Sequence, residues 1–246
     1  MIERNGRFWQ SASVSNDFLE GMRGAIPLAA EQLAVMVRVI QEARPNLDNF
    51  LDIGCGDGLL GQAVLAHYPD AHGILLDFSQ PMIEAARHKL AARKENLTFI
   101  VQDYGVPLWL ESVKSYAPFD VIVSGFSIHH QPDSRKRELY QEIFDLLKPG
   151  GIFLNLEHIA PGSPWLEQVF DEIFIDAMVA HNQRRGLNPS REAVADEYHN
   201  RPHKEANILA PLETQCAWLR EIGFAHVDCY LKIFELALFG GIRTHE

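Results

Sequence analysis

The sequence predicts an α/β fold in which helices cover both faces of a mostly parallel β-sheet. Apolar segments of strand length alternate with segments whose apolar residues recur at helical spacing. The strand-length segments are apolar at nearly every position, which is typical of strands that are buried on both faces. Strands and helices that alternate in this way form a three-layered sheet with right-handed crossovers.

The length of the chain is sufficient for a full hydrophobic core. Its 246 residues are 47% hydrophobic and 22% charged, which is ordinary for a folded globular protein. Length alone permits one α/β domain or two smaller ones, and we favour a single domain over residues 1–246 with an insertion. No run approaches the ~20 apolar residues of a membrane helix. The charged first residues are followed by no apolar stretch, so we expect neither a membrane span nor a secretory signal.

Charge and cysteine content narrow the partners and the compartment. The formal charge of −11 repels nucleic-acid phosphates, and Lys and Arg form no long cluster to offset it, so we expect no nucleic-acid partner. Cys55, Cys216 and Cys229 are too few and too far apart for a disulfide framework or a zinc site. They fit a reducing compartment, and we expect a cytoplasmic protein.

The first half of the chain supplies the regular part of the pattern. Pro27 fits the first turn of an amphipathic helix, and strands and helices then alternate. Three of these strands end at or near an aspartate. We predict helices at about 28–43, 59–67 and 81–93 and strands at 50–53, 73–77, 97–101 and 119–124.

The second half interrupts this alternation. A helix stops at Lys148-Pro149-Gly150-Gly151, and a fifth strand follows at 152–157. The next segment contains an apolar helical stripe but no convincing strand, and we predict a helical cap over the open end of the sheet, with core packing as the simpler alternative. A helix at 211–222 and a closely spaced, antiparallel strand pair within 227–238 complete the fold. The predicted units are an N-terminal helical flap (1–45), a core (46–158), the cap (159–210) and the closing helix and strand pair (211–246).

The segment from Phe50 to Gly58 joins an apolar strand to a glycine-rich turn that leads into a helix. Glycines at 54, 56 and 58 can adopt backbone angles that other residues avoid, and they let the main chain approach a ligand closely. Asp52 at the end of the strand disfavours a phosphate and suits a cationic or amine-bearing ligand. The turn also departs from the G-x-G-x-x-G fingerprint of dinucleotide dehydrogenases, because Gly61 is out of register.

This segment is the first of five motifs that resemble, in order, those of the class I S-adenosylmethionine-dependent methyltransferases of the small-molecule type. The resemblance covers about residues 50–157. The closing strand pair fits the Rossmann-like, seven-stranded sheet of that family, in which the last strand is antiparallel. Five ordered motifs are far more specific than one glycine loop. The motifs are Leu51 to Gly58, Leu76 to Arg87, Val101 to Tyr104, Phe119 to Ser124 and Leu147 to Gly151.

The resemblance implies S-adenosyl-L-methionine as the cofactor. It places Asp52 near the methionine end, and it places Asp77 where it accepts hydrogen bonds from both ribose hydroxyls. Phe78 and Met82 would flank the adenine. A strand-end aspartate taken alone is as often a cap or turn residue, but three successive strands end in this way. The implied cofactor residues are Asp52, Gly54, Cys55, Gly56, Asp77, Phe78, Met82, Asp103, Tyr104, Ser124 and, in the N-terminal flap with Phe8, Trp9 and Phe18, Arg23.

Candidates for the chemistry on the acceptor follow the fourth and fifth strands. Methyl transfer from a sulfonium is an in-line displacement, so the protein aligns the reactants and needs a base only where the acceptor must lose a proton. Similar His-His pairs follow the fourth strand in small-molecule methyltransferases of this class. For either histidine a structural role is an equal alternative. The candidate catalytic residues are His129, His130, Glu157 and His158.

The predicted cap holds a dense group of polar rings and cations, for which a solvated loop is the alternative interpretation. If Arg201 and Lys204 face inward, we expect an anionic or carboxylate-bearing acceptor. Pro202 breaks the helical spacing that a metal pair of histidines would need there, so we predict no metal site. The candidate acceptor-binding residues are Tyr198, His199, Arg201 and His203.

We therefore predict the transfer of a methyl group to an O, N or C atom of a small-molecule acceptor. One alternative is an enzyme similar to the carboxy-S-adenosylmethionine synthases, in which Arg23 or Arg201 would contact the additional carboxylate. The other is a protein that binds the cofactor and transfers no methyl group. A homodimer is compatible with all three.

Overall fold

The structure is a computed structural model that describes residues 10–11, 22–201 and 204–244. Its central element is a seven-stranded sheet with the strand order β3-β2-β1-β4-β5-β7-β6. The strands are β1 (Asn49–Ile53), β2 (His72–Asp77), β3 (Leu97–Val101), β4 (Phe119–Gly125), β5 (Leu147–His158), β6 (Phe224–Ile233) and β7 (Leu236–Arg243).

The described α-helices alternate with the first five strands and then accumulate between β5 and β6. Short 3-10 turns occur at Met22–Ala25, Ala91–Asn96, Pro107–Trp109, Ile128–His130 and Lys204–Ala206. No helix within the described ranges is long and apolar enough to cross a membrane. The α-helices are α1 (Ala29–Ala43), α2 (Leu59–His67), α3 (Gln80–Lys89), α4 (Leu110–Val113), α5 (Asp133–Leu146), α6 (Pro164–Arg184), α7 (Arg191–His199) and α8 (Leu212–Ile222).

The predicted sheet is confirmed. Strands β1 to β5 pair in parallel, and β7 pairs antiparallel with both β5 and β6. Leu51 of β1 is paired with Ile74 of β2 on one side and with Ile122 of β4 on the other. The order of the strands reverses between β1 and β4, and in such sheets ligands bind at the carboxyl ends of the strands beside this reversal.

Two apolar layers hold the helices against the sheet, because successive side chains of a strand point to opposite faces. Phe50 packs on the face that α1, α2 and α3 cover, whereas Leu51 and Ile53 pack on the face covered by α5 and α8. All three side chains are fully buried. Burial on both faces explains why the strands are continuous apolar runs in the sequence.

Helices α6 and α7 form a cap beside the carboxyl ends of the strands. Ser163 begins α6 by accepting a hydrogen bond from the N–H of Leu166 at 3.3 Å. Phe170 and Phe174 of α6 pack with Tyr198 of α7 and with Ala25, which precedes α1. The apolar stripe predicted in this segment is therefore packed within the cap and against the segment before α1.

The ends of several elements differ from the prediction. Helix α3 ends at Lys89 rather than at residue 93. The segment Ala91–Asn96 buries none of its side chains against the core and forms a 3-10 turn. Strand β5 begins at Leu147, which pairs with Phe119, and Gly150 with a φ of 75° accommodates the irregular register that follows.

The closing strands are longer than the predicted 227–238 pair, and β7 lies inside the sheet rather than at its edge. Strand β7 continues through two glycines that look like a break in the sequence. A Cβ atom on Gly240 would lie 1.9 Å from the carbonyl oxygen of Phe153, so glycine is required there for β7 to approach β5.

Candidate functional site

A cavity of about 520 Å³ lies at the carboxyl ends of β1, β2, β4 and β5. This size is typical of sites for small molecules and cofactors. The cap forms one wall of the cavity through Phe170, Phe174 and Tyr198, and the segment before α1 contributes Gly24 and Ile26. The cavity therefore extends from the turn after β1 to the cap.

The glycine-rich turn forms the floor of the cavity next to β1. Gly54, Gly56 and Gly58 have φ values of 65°, 54° and 81°, which side-chain-bearing residues rarely adopt. A Cβ atom on Gly54 would collide with the Ser127 side chain, whereas a Cβ atom on Gly56 would meet no atom within 4 Å. At Gly56 the bare main chain is thus open to a ligand, as the sequence predicts for a cradle.

Asp77 closes β2 in the cavity wall and has a fixed orientation. Its Oδ1 accepts a hydrogen bond from the N–H of Ser79 at 2.8 Å, and its Oδ2 accepts one from the N–H of Gly56 at 2.9 Å. The residue as a whole is 7% exposed. It therefore links the ends of β1 and β2 and presents a rigid, negatively charged group to the cavity.

The neighbours of Asp77 also belong to the cavity. Phe78 and Met82 line it at the start of α3. Asp52 lines it from β1 and accepts a hydrogen bond from the N–H of Gly61 at 3.0 Å. Cys55 lies between them, and burial, with the charges of nearby aspartates, raises the pKa of its thiol well above the ordinary value. A thiol with a raised pKa is a poor nucleophile.

Some of the predicted cofactor residues do not line this cavity. Asp103 accepts a hydrogen bond from the N–H of Gly105 at 2.7 Å in the turn after β3. The Tyr104 hydroxyl donates to the carbonyl oxygen of Ser127 at 2.8 Å, and the Ser124 hydroxyl donates to that of Ile53 at 2.8 Å inside the sheet. These side chains support the turns and strands that border the cavity. The side chain of Arg23, like Phe8, Trp9 and Phe18, lies outside the described part of the chain.

His129 and Glu157 form a buried pair beneath the cavity. His129 lies in the turn after β4 and lines the cavity, and Glu157 lies behind it near the end of β5. The distance between Nδ1 of His129 and Oε1 of Glu157 is 2.5 Å. The same carboxylate accepts hydrogen bonds from the main-chain N–H groups of His129 at 3.0 Å and of His158 at 2.9 Å. Glu157 therefore fixes both the turn and the imidazole of His129.

The pKa values of this pair shift toward the neutral forms. Burial lowers the pKa of His129 well below its ordinary value, and the charges of His158 and Lys136 lower it further. Burial raises the pKa of Glu157 to about 7, although the hydrogen bond from His158 and nearby positive charges oppose the shift. Both directions follow from the cost of a charge in a poorly solvated site.

The other two candidate histidines have different partners. Nδ1 of His130 lies 3.2 Å from the carbonyl oxygen of Ala206, which can only accept, so this nitrogen carries the proton. Nε2 of His158 lies 2.8 Å from Oε2 of Glu235 in the turn between β6 and β7. Both histidines line the cavity. Of the three, only His129 pairs with a carboxylate that is itself held by main-chain donors.

The cap residues divide into two groups. Tyr198 and Arg201 line the cavity, and the guanidinium of Arg201 lies over the Tyr198 ring at 4.0 Å from its centroid. Within the described residues Arg201 has no carboxylate partner. His199 is half exposed and faces Asp171 instead of the cavity, and His203 lies outside the described residues. No cluster of three or more His, Cys, Asp or Glu side chains in the described chain is arranged to hold a metal ion.

Several polar residues of the site are missing from the sequence prediction, among them Asn207, whose side chain hydrogen-bonds His129. Glu235 contacts His158 from a turn that has no motif. Gln32 lines the cavity from α1 and is fully buried. A signal for Gln32 exists, because it precedes the buried Met36 and Ile40 at intervals of four and therefore lies on the buried face of α1.

Comparisons with known proteins find similar sequences and similar folds. Residues 50–151 match the family model described as a methyltransferase domain. The carboxy-S-adenosyl-L-methionine synthase of Aeromonas hydrophila is 25% identical over an alignment that covers 100% of this chain and 94% of that protein. Malonyl-[acyl-carrier protein] O-methyltransferase 2 of Ilyobacter polytropus is 29% identical over 57% of this chain and 52% of that protein.

The fold also has close counterparts among solved structures. An O-methyltransferase family protein from Burkholderia thailandensis superposes with a TM-score of 0.66 at 19% identity. The superposition covers 98% of this chain and 63% of that one, so this chain spans less than two thirds of its length. At this level of identity the likeness shows a common fold.

Proposed function

Because residues 50–151 form a methyltransferase domain and the whole chain has the class I S-adenosylmethionine-dependent methyltransferase fold, we propose that it methylates a small molecule that carries an anionic group. The observation that carries this proposal is the position of the His129–Glu157 pair and of Arg201 in the same cavity as the glycine-rich turn. The cavity thus combines a cofactor floor, a base and a cation.

The residues of the floor fit S-adenosylmethionine. Gly56 leaves open space above its main chain, and the rigid carboxylate of Asp77 suits a diol that donates two hydrogen bonds. Phe78 and Met82 supply apolar surface beside this carboxylate, as an adenine requires. Asp52 adds negative charge next to the turn, which favours a ligand that carries an ammonium and a sulfonium.

In this proposal His129 acts as the general base. When its Nδ1–H is held by the Glu157 carboxylate, its Nε2 is free of a proton and can accept one from a hydroxyl, amine or acidic C–H group of the acceptor. Bound S-adenosylmethionine supplies an electrophilic methyl group, and its sulfur keeps the electron pair of the broken C–S bond. The side chains of Phe126, Phe170 and Phe174 keep water from this end of the cavity.

The acceptor end of the cavity is aromatic and carries the cation of Arg201. Arg201 has no acidic partner among the described residues although the protein has a net charge of −11. Its guanidinium is stacked on Tyr198, whose hydroxyl donates to Asp171 at 2.7 Å. A guanidinium held in this way is suited to a carboxylate. The preferred acceptor is therefore a carboxylate with an apolar body and a nearby nucleophilic atom.

A panel of small carboxylic acids tests the proposal. The purified chain is incubated with S-adenosylmethionine and each acid, and S-adenosylhomocysteine is measured by mass spectrometry. We expect S-adenosylhomocysteine only with acids that also bear a hydroxyl, amine or acidic C–H group. With the cofactor below saturation, the Asp77→Ala variant should release at least about tenfold less. Release that is equal with and without acceptors would contradict the proposal.

A second function is favoured by one specific observation. The similarity to the Aeromonas hydrophila carboxy-S-adenosyl-L-methionine synthase covers nearly the full length of both chains. In this alternative Arg201 holds a carboxylate that becomes part of the cofactor. The same mass spectra distinguish the two functions, because the alternative yields a cofactor that has gained a carboxylate and leaves no methylated acid. A cytoplasmic location and a homodimer accompany both proposals.

A further inference from the structure

The amide of Gln32 is an unusual polar group in the wall of the cavity. Its side chain is fully buried in α1, on the face that is otherwise apolar. Its Nε2 donates to the carbonyl oxygen of Pro27 at 2.7 Å. This bond fixes the amide, and Oε1 is buried without a hydrogen-bond partner among the described residues. Buried acceptors are rarely left without a donor, so this oxygen points to a ligand.

The position of α1 defines which part of the cavity Gln32 borders. Helix α1 contacts α2, β5, β6 and β7. Its buried face belongs to the same apolar cluster as Cys55 of the glycine-rich turn, Leu60 of α2 and Leu156 of β5. All three residues line the cavity together with Gln32. In the sheet β5 lies on the opposite side of β1 from β2, which ends in Asp77. Gln32 therefore borders the turn from the side away from Asp77, Phe78 and Met82.

The chemistry of this oxygen selects the ligand group. A carboxamide oxygen can only accept, so its partner must be a donor. Asp52 lies in the same cavity wall, and its carboxylate favours a donor that is positively charged. The ribose and adenine donors of the cofactor belong to the Asp77 side in the proposed function. The remaining donor of the cofactor is the α-ammonium group of its methionine end.

We infer that Oε1 of Gln32 accepts a hydrogen bond from the α-ammonium group of the cofactor, which makes Gln32 a cofactor-binding residue. This inference rests on the proposed function, since it needs the methionine end of S-adenosylmethionine on the α1 side of the turn. The bond to Pro27 then has a role of its own, because it turns the acceptor oxygen toward the ligand before binding.

Calorimetric titration tests this inference with two ligands, S-adenosylhomocysteine and its analogue that lacks the α-amino group. In Gln32→Met the acceptor oxygen is lost at nearly constant side-chain length. We expect the affinity for S-adenosylhomocysteine to fall about tenfold or more and the affinity for the analogue to change less than about threefold. Gln41→Met is the matched control, because Gln41 lies in the same helix outside the cavity wall; it should bind both ligands as the unmodified chain does.

A second variant separates the ligand from the bond to Pro27. In Gln32→Glu an ionised carboxylate still accepts from an ammonium but cannot donate to Pro27, so the preference for S-adenosylhomocysteine over the analogue should persist. Equal losses for both ligands in Gln32→Met, or loss of the preference in Gln32→Glu, would overturn the inference alone. If the unmodified chain binds neither ligand, both the inference and the proposed function fail.

Discussion

The Nδ1 atom of His129 lies 2.5 Å from Oε1 of Glu157, and both side chains are buried. Burial lowers the pKa of the imidazole and raises that of the carboxyl to about 7. Below this pH the pair holds one proton and is neutral overall, whereas above it the pair carries the negative charge of the carboxylate. The two side chains therefore titrate together, and the pair becomes able to accept a proton from a ligand as the pH rises through neutrality.

The pH dependence of turnover should follow the Glu157 carboxyl. Turnover is expected to rise as the pH passes through about 7, because loss of the proton leaves the carboxylate holding Nδ1–H of His129 and frees its Nε2. In Glu157→Gln this inflection should disappear and turnover should fall by ~10²-fold or more. Initial rates across this pH range with an acceptor from the acid panel provide the measurement. An unchanged inflection in the variant would assign it to another group.

Glu157→Gln should also change how stability depends on pH. Between pH 4.5 and 6.5 the unmodified chain binds one titratable proton at these two residues in both states. In the folded chain the Glu157–His129 pair shares this proton, and in the unfolded chain the histidine carries it. In the variant only His129 remains, and its neutral form contributes stability above its unfolded pKa of 6.5 that is lost as the pH falls. The free energy of unfolding should then decrease by about 1.4 kcal/mol per pH unit below that value. Urea unfolding of both proteins checks this, and parallel curves would refute it.

The two adjacent histidines should differ in their effect on turnover. His129→Asn removes the group that Glu157 orients, so turnover should fall by ~10²- to 10⁴-fold while the affinity for S-adenosylhomocysteine stays within a few-fold. His130→Asn serves as the control, because the partner of His130 is the Ala206 carbonyl, and its effect should be at least ten times smaller. Equal losses of turnover in both variants would mean that His129 has no special role as a base.

Asp77→Ala should weaken the binding of S-adenosylhomocysteine. The carboxylate is already aligned by the N–H groups of Ser79 and Gly56. Its loss removes the hydrogen bonds that the ribose hydroxyls donate to a charged group, which contribute about 1.5–3 kcal/mol to binding. Calorimetry measures this change, with thermal unfolding as a check that the variant is folded. Asp70→Ala, in an exposed turn, is the matched control and should bind normally. Unchanged affinity in Asp77→Ala would remove Asp77 from the cofactor site.

Arg201→Met should raise the KM for an acidic acceptor by ~10-fold or more, because a charged hydrogen bond to the carboxylate is lost. Cofactor affinity should change little. Arg184→Met, at an exposed position near the end of α6, is the control for the loss of one positive charge. If the two variants behave alike in steady-state kinetics, Arg201 does not bind the acceptor. If Arg201→Met lowers the affinity for the cofactor instead of the affinity for the acceptor, the carboxylated-cofactor alternative is favoured.

The sheet could be predicted because its signal is local and repeated. Strands β2 and β4 are buried on both faces and are therefore apolar at nearly every position, so the segments 73–77 and 119–124 are visible without any alignment. The predicted boundaries of β5 and β7 were wrong, because the ends of these strands depend on contacts between distant segments. Leu147 joins β5 by pairing with Phe119, and Gly240 joins β7 because Phe153 comes too close for a side chain.

The candidate site was predictable where strand ends determine it. Asp52, Asp77 and the glycine turn meet because the carboxyl ends of neighbouring parallel strands share one edge. The pairing of Glu157 rather than His158 with His129 could not be deduced, because adjacent residues of a strand point to opposite faces and the sequence does not identify the face. Glu235 contacts His158 from a distant turn, and Gln32 lines the cavity from α1. Only the spacing of Gln32 within α1 indicated that it is buried.

The most direct test follows the methyl group itself. The purified chain is incubated with S-adenosylmethionine carrying a deuterated methyl group and the acid panel, and the products are identified by mass spectrometry. The account predicts the labelled methyl group on a carboxylic acid. Its amount should fall sharply in His129→Asn, and it should fall in Asp77→Ala when the cofactor is below saturation. Label that remains on the cofactor in every reaction, with or without an added carboxylate, would contradict it.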